Sequence, residues 1–150
     1  MLLANLGLIA LLNLSQAGID CQCNGYTQKY WSIGKQVTVE RKYAKALFSG
    51  EVLSVVETKN ADGHFLEVQF KVIRSWKNVR SPMVMVITSY PAAGGCGYAF
   101  QTGREYLVYI DRNDDGRLRT SICSRTISLE NAKADLRALG RGKQWRRNRS

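Results

Sequence analysis

Residues 65–76, FLEVQFKVIRSW, alternate in polarity: Leu66, Val68, Phe70 and Val72 fall on one side and Glu67, Gln69 and Lys71 on the other. A period of two places one face of an extended segment in a core and the other toward water, so this is a half-buried β-strand. Immediately upstream, LFSGEVLSVVE (47–57) is rich in β-branched residues and reads as a second strand, with Gly50 marking a bulge or a close approach. Between them NADGH contains Asp62-Gly63, a strong signal for a tight hairpin turn. Downstream, KNVRSP is a turn and MVMVITS (83–89) a third strand. PAAGGCGYAF is a small-residue loop, and REYLVYI (104–110) is a fourth strand. DRNDDG is a turn, and RLRTSIC (117–123) is a fifth strand.

Helical signals flank the strands. NGYTQKYWSIGKQ (24–36) reads as a loop and TVERKYAK (38–45) as a short helix capped by Thr38. Near the C-terminus Ser128 is placed to cap a helix. Leu129, Ala132, Leu136 and Leu139 follow at spacings of 3, 4 and 3, and Gly140 ends it. Five short antiparallel strands and a C-terminal helix predict a mainly β domain, a small five-stranded barrel of the OB-fold type, spanning 18–140. The chain has 150 residues, 45% of them hydrophobic, which suits one domain with one core.

The first 19 residues carry no charged side chain, and Leu2–Leu12 is apolar but too short to span a bilayer. Residues 1–17 read as a signal peptide, with Ser15 and Ala17 at the −3 and −1 positions of a cleavage site. A buried N-terminal helix is the structural alternative. The expected location is secreted or extracellular, and no later run is apolar enough to cross a membrane. Export permits disulfides. Cys21 and Cys23, one residue apart, form a strained ring if bonded to each other. That leaves two crossed pairings with Cys96 and Cys123, each tying the N-terminus to the body. The CxC spacing and two distant cysteines do not form the paired CxxC of a structural zinc site.

Formal net charge is +10. Residues 141–150, RGKQWRRNRS, hold Arg141, Lys143, Arg146, Arg147 and Arg149 with no acid, and read as a disordered basic tail able to meet anionic glycans. Trp145 within it is a potential interfacial anchor. DRNDDG places Asp111, Asn113, Asp115 and Gly116 at calcium-loop positions, but Ile122 stands where the bidentate Glu belongs, so the segment reads as a turn. The one histidine, His64, abuts the hairpin turn and reads as a solvated surface ring. With no nucleophile–base pair, and with Glu51, Glu67 and Glu105 all reading as outward strand positions, the chain does not read as an enzyme. Tyr26, Tyr30 and Trp31 beside basic residues permit base stacking, but export argues against nucleic acid. Phe65, Phe70 and Trp76 read as core or core edge.

Taken together, the CxC, LFSGEV, a strand ending in Trp76-Lys77, CGYAFQTGREYLVYI (96–110) and TSICSRTISLENAKADLRALG (120–140) resemble the N-terminal domain of tissue inhibitors of metalloproteinases, within the netrin-like group. The resemblance covers about residues 21–140. It implies disulfides Cys21–Cys96 and Cys23–Cys123. It also implies a monomeric inhibitor without cofactor or metal of its own, whose partner is a zinc metalloprotease. In that family the first cysteine is the mature N-terminus, and its α-amine and carbonyl chelate the protease zinc. Gln22 would then enter the pocket that reads substrate. Cleavage after Ala17 leaves Gly18-Ile19-Asp20 ahead of Cys21 and makes the Cys21 nitrogen an amide, a very poor zinc ligand. Chelation therefore needs cleavage after Asp20, a poor peptidase site, or trimming to Cys21 by an aminopeptidase. The alternative reading is a netrin-like module holding anionic glycans through basic residues, with no protease inhibition.

Overall fold

A computed structural model describes residues 21–23, 30–93, 95–111 and 115–145. Residues 1–17, read above as a signal peptide, together with Tyr26, Asn113 and the last three arginines, Arg146, Arg147 and Arg149, lie outside them.

Helix α1 spans Ile33–Tyr43, five residues earlier than Thr38 suggested. Ser32 is the cap and accepts a hydrogen bond from the Lys35 amide, whereas the Thr38 hydroxyl donates back to the Gly34 carbonyl inside the helix. Strands β1 (Ala46–Asn60) and β2 (Gly63–Lys77) form a long antiparallel hairpin closed at Ala61-Asp62. Strands β3 (Met83–Ser89) and β4 (Glu105–Ile110) follow, then the two-residue β5 (Ile127–Ser128). The expected C-terminal helix is split: Leu129–Asn131 is one 3₁₀ turn, and α2 is Lys133–Leu139. Gly140, at φ 68°, closes it.

The strands lie in the order β3-β2-β1-β4-β5. The sheet is mainly antiparallel and strongly bulged, and its path is open rather than a regular closed barrel. Its two ends are linked by Arg119, which bridges β3 in parallel at Ile87 and meets Asp111 in antiparallel. Three amide bonds make this link: Ile87 to the Leu118 carbonyl, Thr120 to the Ile87 carbonyl and Asp111 to the Arg119 carbonyl. The strand expected over 117–123 is thus reduced to this link. At Ser121 the chain leaves the edge and turns, with the Ser124 amide bonded to the Ser121 carbonyl, which carries Cys123 away from the sheet.

Two apolar clusters result. Inside the curved sheet, Phe48, Val52, Val68, Phe70, Val86, Tyr106, Val108 and Ile110 pack together. The edge-to-face contacts of Phe70 with Phe48 and Phe100 sit at 5.5 and 5.2 Å. On the outer face, Leu47, Leu107 and Tyr109 are covered by Val37 of α1 and by Ala132 and Leu139 around α2. Trp76 packs against this second cluster, a position the alternation of β2 alone does not assign.

Residues 141–145 are not a free tail. Lys143–Gln144 form a sixth strand, β6, paired with Ser75 and Arg74 of β2. β1 already occupies one edge of β2 at Ser75, so β6 takes the other, beyond the point where β3 begins. Gly142 permits this approach, since a Cβ there would stand 2.7 Å from the Ser75 carbonyl oxygen. Trp145 then packs against the inner cluster instead of projecting as an anchor.

Gly50 lies at a register shift between β1 and β2, and a Cβ there would stand 2.9 Å from the Lys71 carbonyl oxygen, hemmed in by the rings of Phe48 and Phe70. Gly50→Val is expected to lower the unfolding free energy by about 2–4 kcal/mol, read as a reduced urea midpoint at unchanged slope. A wild-type midpoint would contradict this packing.

Candidate functional site

Cys21, Gln22 and Cys23 belong to neither helix nor strand; Gln22 and Cys23 are exposed and Cys21 half-buried. Cys21 is bonded to Cys96 and Cys23 to Cys123, with Cα atoms 5.1 Å apart in each bridge. The pairs are separated by 75 and 100 residues, so in the chain-entropy account each bridge removes about 4 kcal/mol of unfolded-state freedom. No free cysteine remains. The bridges abut: the Cys21 and Cys123 sulfurs are 3.6 Å apart, and those of Cys21, Cys96 and Cys123 all lie within 4.8 Å. Every one of these sulfurs is already bonded to another, so the cluster is a covalent clamp and not a thiolate metal site.

The two loops that receive the bridges are tied to each other and to the sheet. The Ile122 amide donates to the Cys96 carbonyl at 2.9 Å. Next to Cys96, Gly97 lies against the backbone of Ser89 so closely that any Cβ would overlap its carbonyl. The Tyr98 amide donates to the buried Thr88 hydroxyl at 2.8 Å. Next to Cys123, the Ser121 hydroxyl accepts from the Cys123 amide and donates to Asp111. Burial raises the Asp111 carboxyl above its ordinary pKa, and the Ser121 bond partly opposes the rise. Thr120 and Thr126 bond to each other and to the Tyr109 carbonyl in a buried group with Ser124.

Two residues beyond Cys123, Arg125 holds Asp135 of α2 in a fork, with Nε and Nη2 each 2.8 Å from a carboxylate oxygen. A third guanidinium nitrogen donates to Gln36 of α1. The Tyr109 hydroxyl donates to the same Asp135, at 3.3 Å. Burial first, and the neighbouring carboxylate second, push the Tyr109 hydroxyl well above its usual pKa, and bonding to Asp135 raises Arg125 further. Arg125 thereby joins the Cys123 loop to both helices. Sequence reasoning missed this group, although one signal was present: Asp135 falls on the apolar stripe of α2, between Ala132 and Leu139.

Other residues singled out in the sequence are dispersed. The Asp115 carboxylate is taken up by Arg117 and Arg119, whose bonds hold it well below the usual carboxylate range. His64 is not a fully solvated ring; it stacks on Tyr90 at 3.9 Å and meets Glu57 at 2.6 Å. Glu51 and Glu105 are cross-strand neighbours, while Glu67 lies further along the hairpin and accepts from Thr58. Tyr30 is exposed, and Trp31 lies under the Lys35 ammonium, 4.3 Å from the ring centroid. Of the basic residues, Arg141 and Lys143 are exposed on the segment that joins β2, far along that strand from the Cys96 loop. Among the described residues no helix is long and apolar enough to cross a membrane. Compared with protein-family models and with curated proteins, the chain matches none.

Asp135→Ala leaves the half-buried Arg125 guanidinium without its carboxylate and the Tyr109 hydroxyl without its acceptor, and is expected to cost about 2 kcal/mol. The double variant Arg125→Met, Asp135→Leu should recover part of that loss. Strictly additive losses in thermal unfolding would show that the pair does not act as a unit.

Proposed function

We propose that the protein is an exported, inhibitor-like binding module that offers Cys21-Gln22-Cys23 to the active-site cleft of a zinc endopeptidase. The observation that carries this reading is the clamp. A surface tripeptide, exposed at Gln22 and Cys23, is bonded at both ends to two different loops, and both loops are fastened to one sheet. A segment of this kind loses little conformational entropy on entering a cleft, which favours tight binding. The disulfides also suit an oxidising, extracellular setting.

The chemistry follows from a processed N-terminus. With Cys21 first, its α-amine and carbonyl oxygen form a five-membered chelate on the protease metal and displace the metal-bound water, the nucleophile of such enzymes. The bridge to Cys96 ties up the Cys21 sulfur, which would otherwise compete as a ligand. The exposed Gln22 side chain is then aimed at the subsite next to the metal. In this role the chain is a ligand and not a catalyst.

The test compares the chain beginning at Cys21 with one carrying a single additional alanine, both with two intact bridges, against a panel of zinc endopeptidases. Inhibition by the first and a loss of about 100-fold or more in the second are expected, because the extension converts the amine to an amide. No inhibition by the Cys21-first form overturns the reading.

Inhibition should also depend on pH. Only the neutral amine donates a lone pair, and its pKa lies near 8. Affinity is therefore full above about pH 8 and falls by up to about tenfold per unit below it. A flat profile between about pH 6 and pH 8 would rule out amine ligation.

A further inference from the structure

The two bridges meet at one place. The Cys21 and Cys123 sulfurs belong to different bridges yet are 3.6 Å apart, and the sulfurs of Cys21, Cys96 and Cys123 all lie within 4.8 Å of one another. Cys23 is bonded to Cys123, so its sulfur joins the same group. Four sulfurs from three chain segments thus share one small volume. A tetrahedral zinc ion bound by four thiolates, at about 2.3 Å each, needs those sulfurs about 3.8 Å apart. The contact between the bridges already has nearly that spacing. Cys96 and Cys123 also have anchors other than sulfur. The Ile122 amide holds the Cys96 carbonyl, and Gly97 lies on the Ser89 backbone. The Ser121 hydroxyl joins the Cys123 amide to Asp111, and Arg125 fastens the same segment to Gln36 and Asp135. Opening the bridges leaves these bonds untouched. Two of the four sulfurs therefore keep their neighbourhood, and the short Cys21-Gln22-Cys23 segment has only to supply the other two.

We infer that the protein with both bridges opened holds one zinc ion through Cys21, Cys23, Cys96 and Cys123, a metal-made clamp that replaces the covalent one. A dithiol reductant opens each bridge. It gives up two electrons and two protons, closes its own disulfide and leaves two cysteine thiols. One Zn²⁺ then displaces the four thiol protons and is bound by four thiolates, a soft donor set that favours zinc over magnesium or calcium. With the bridges closed the sulfurs are bonded in pairs and no thiolate is present. The two clamps therefore belong to opposite redox conditions: the disulfides to an oxidising compartment, the zinc to a reducing one. Because metal binding couples to folding, zinc supplies in the reduced chain part of the constraint that the bridges supply in the oxidised one. The site needs neither a free α-amine at Cys21 nor a protease, so it is independent of the inhibitor reading.

The test reduces the full chain with a phosphine, which does not itself compete for the metal as a dithiol would, and titrates it with zinc and then with cobalt as a spectroscopic stand-in. Stoichiometric uptake of one zinc per chain is expected, with all four thiols protected from alkylation and the circular dichroism of the bridged form kept or regained. Cobalt should give the intense charge-transfer and visible bands of a tetrahedral thiolate site. Reduced Cys23→Ser and reduced Cys96→Ser should each bind zinc about 100-fold or more weaker. If these variants do not fold, the alkylation map of the unsubstituted chain still identifies the ligands. Absence of stoichiometric zinc uptake would overturn the site, as would protection confined to Cys21 and Cys23 or an octahedral cobalt spectrum. Equal zinc affinity in denaturing urea would overturn it too, because the metal would then owe nothing to the fold.

Discussion

Strand β1 is buried on both faces over Ala46–Gly50, and β4 over Tyr106–Ile110. A strand with only one apolar face rests on a core; these two are enclosed, and so they demand a second layer. Phe48, Tyr106 and Val108 fill the inside of the curved sheet, while Leu47, Leu107 and Tyr109 require cover outside. The cover is helical: Val37 from α1 and Ala132 and Leu139 around α2. This two-sided burial fixes where both helices lie, and the position of everything attached to them follows. A polar group accompanies it. The Tyr109 hydroxyl, buried on the outer face, needs a partner. It finds one in Asp135, whose charge is in turn held by Arg125.

From that arrangement the N-terminal ridge acquires its rigidity. Arg125 sits two residues after Cys123, so the group that docks the helices also docks the loop receiving one bridge. The other bridge ends beside Gly97, where the absence of a side chain lets the loop rest on the Ser89 backbone. The disulfides therefore connect the tripeptide to loops that are themselves bonded to the sheet and to the helices. Two bridges into mobile loops would shorten the chain's reach without presenting a defined shape. A proposal of cleft insertion depends on that difference more than on the number of bridges.

The same strand, β2, spans two chemically distinct ends. Near Phe65 it pairs with the end of β3 beside the Cys96 loop, where the features are covalent and geometric. Near Lys77 it meets the end of α1 and the β6 strap, which carry the exposed Arg41, Lys42 and Lys143. Lys77 itself acts within the fold, satisfying carbonyls at a helix end whose dipole favours a cation. Arg41 and Lys42, in the last turn of α1, complement the same helix end, and the Lys143 ammonium lies over the Trp145 ring.

Local chemistry made much of the fold legible. The alternation of 65–76 and the strand at 83–89 depend on neighbours within a few residues and appear in the folded chain, and Gly50 sits at a bulge; the hairpin turn forms one residue earlier than Asp62-Gly63, at Ala61-Asp62, with Gly63 opening β2 opposite Asn60. The start of α1 was misplaced because Ser32 and Thr38 both have capping chemistry, and only packing of Val37 against Leu47 selects the earlier one. The strand at 117–123 was overextended because its β-branched pattern cannot register that Cys123 is needed elsewhere. The basic segment looked free because two residues of β6 carry no periodic signal; its partner lies some 70 residues away along the chain. The contacts that make a site of these parts are likewise long-range: Cys21 with Cys96, Cys23 with Cys123, and Arg125 with Gln36 and Asp135. The order of residues by itself determined the four longer strands, β1 to β4, and where charge and sulfur occur along the chain. Which sulfurs and charges meet was decided by closure of the chain in three dimensions, because the energy of such contacts depends on distance in space and not on distance in sequence.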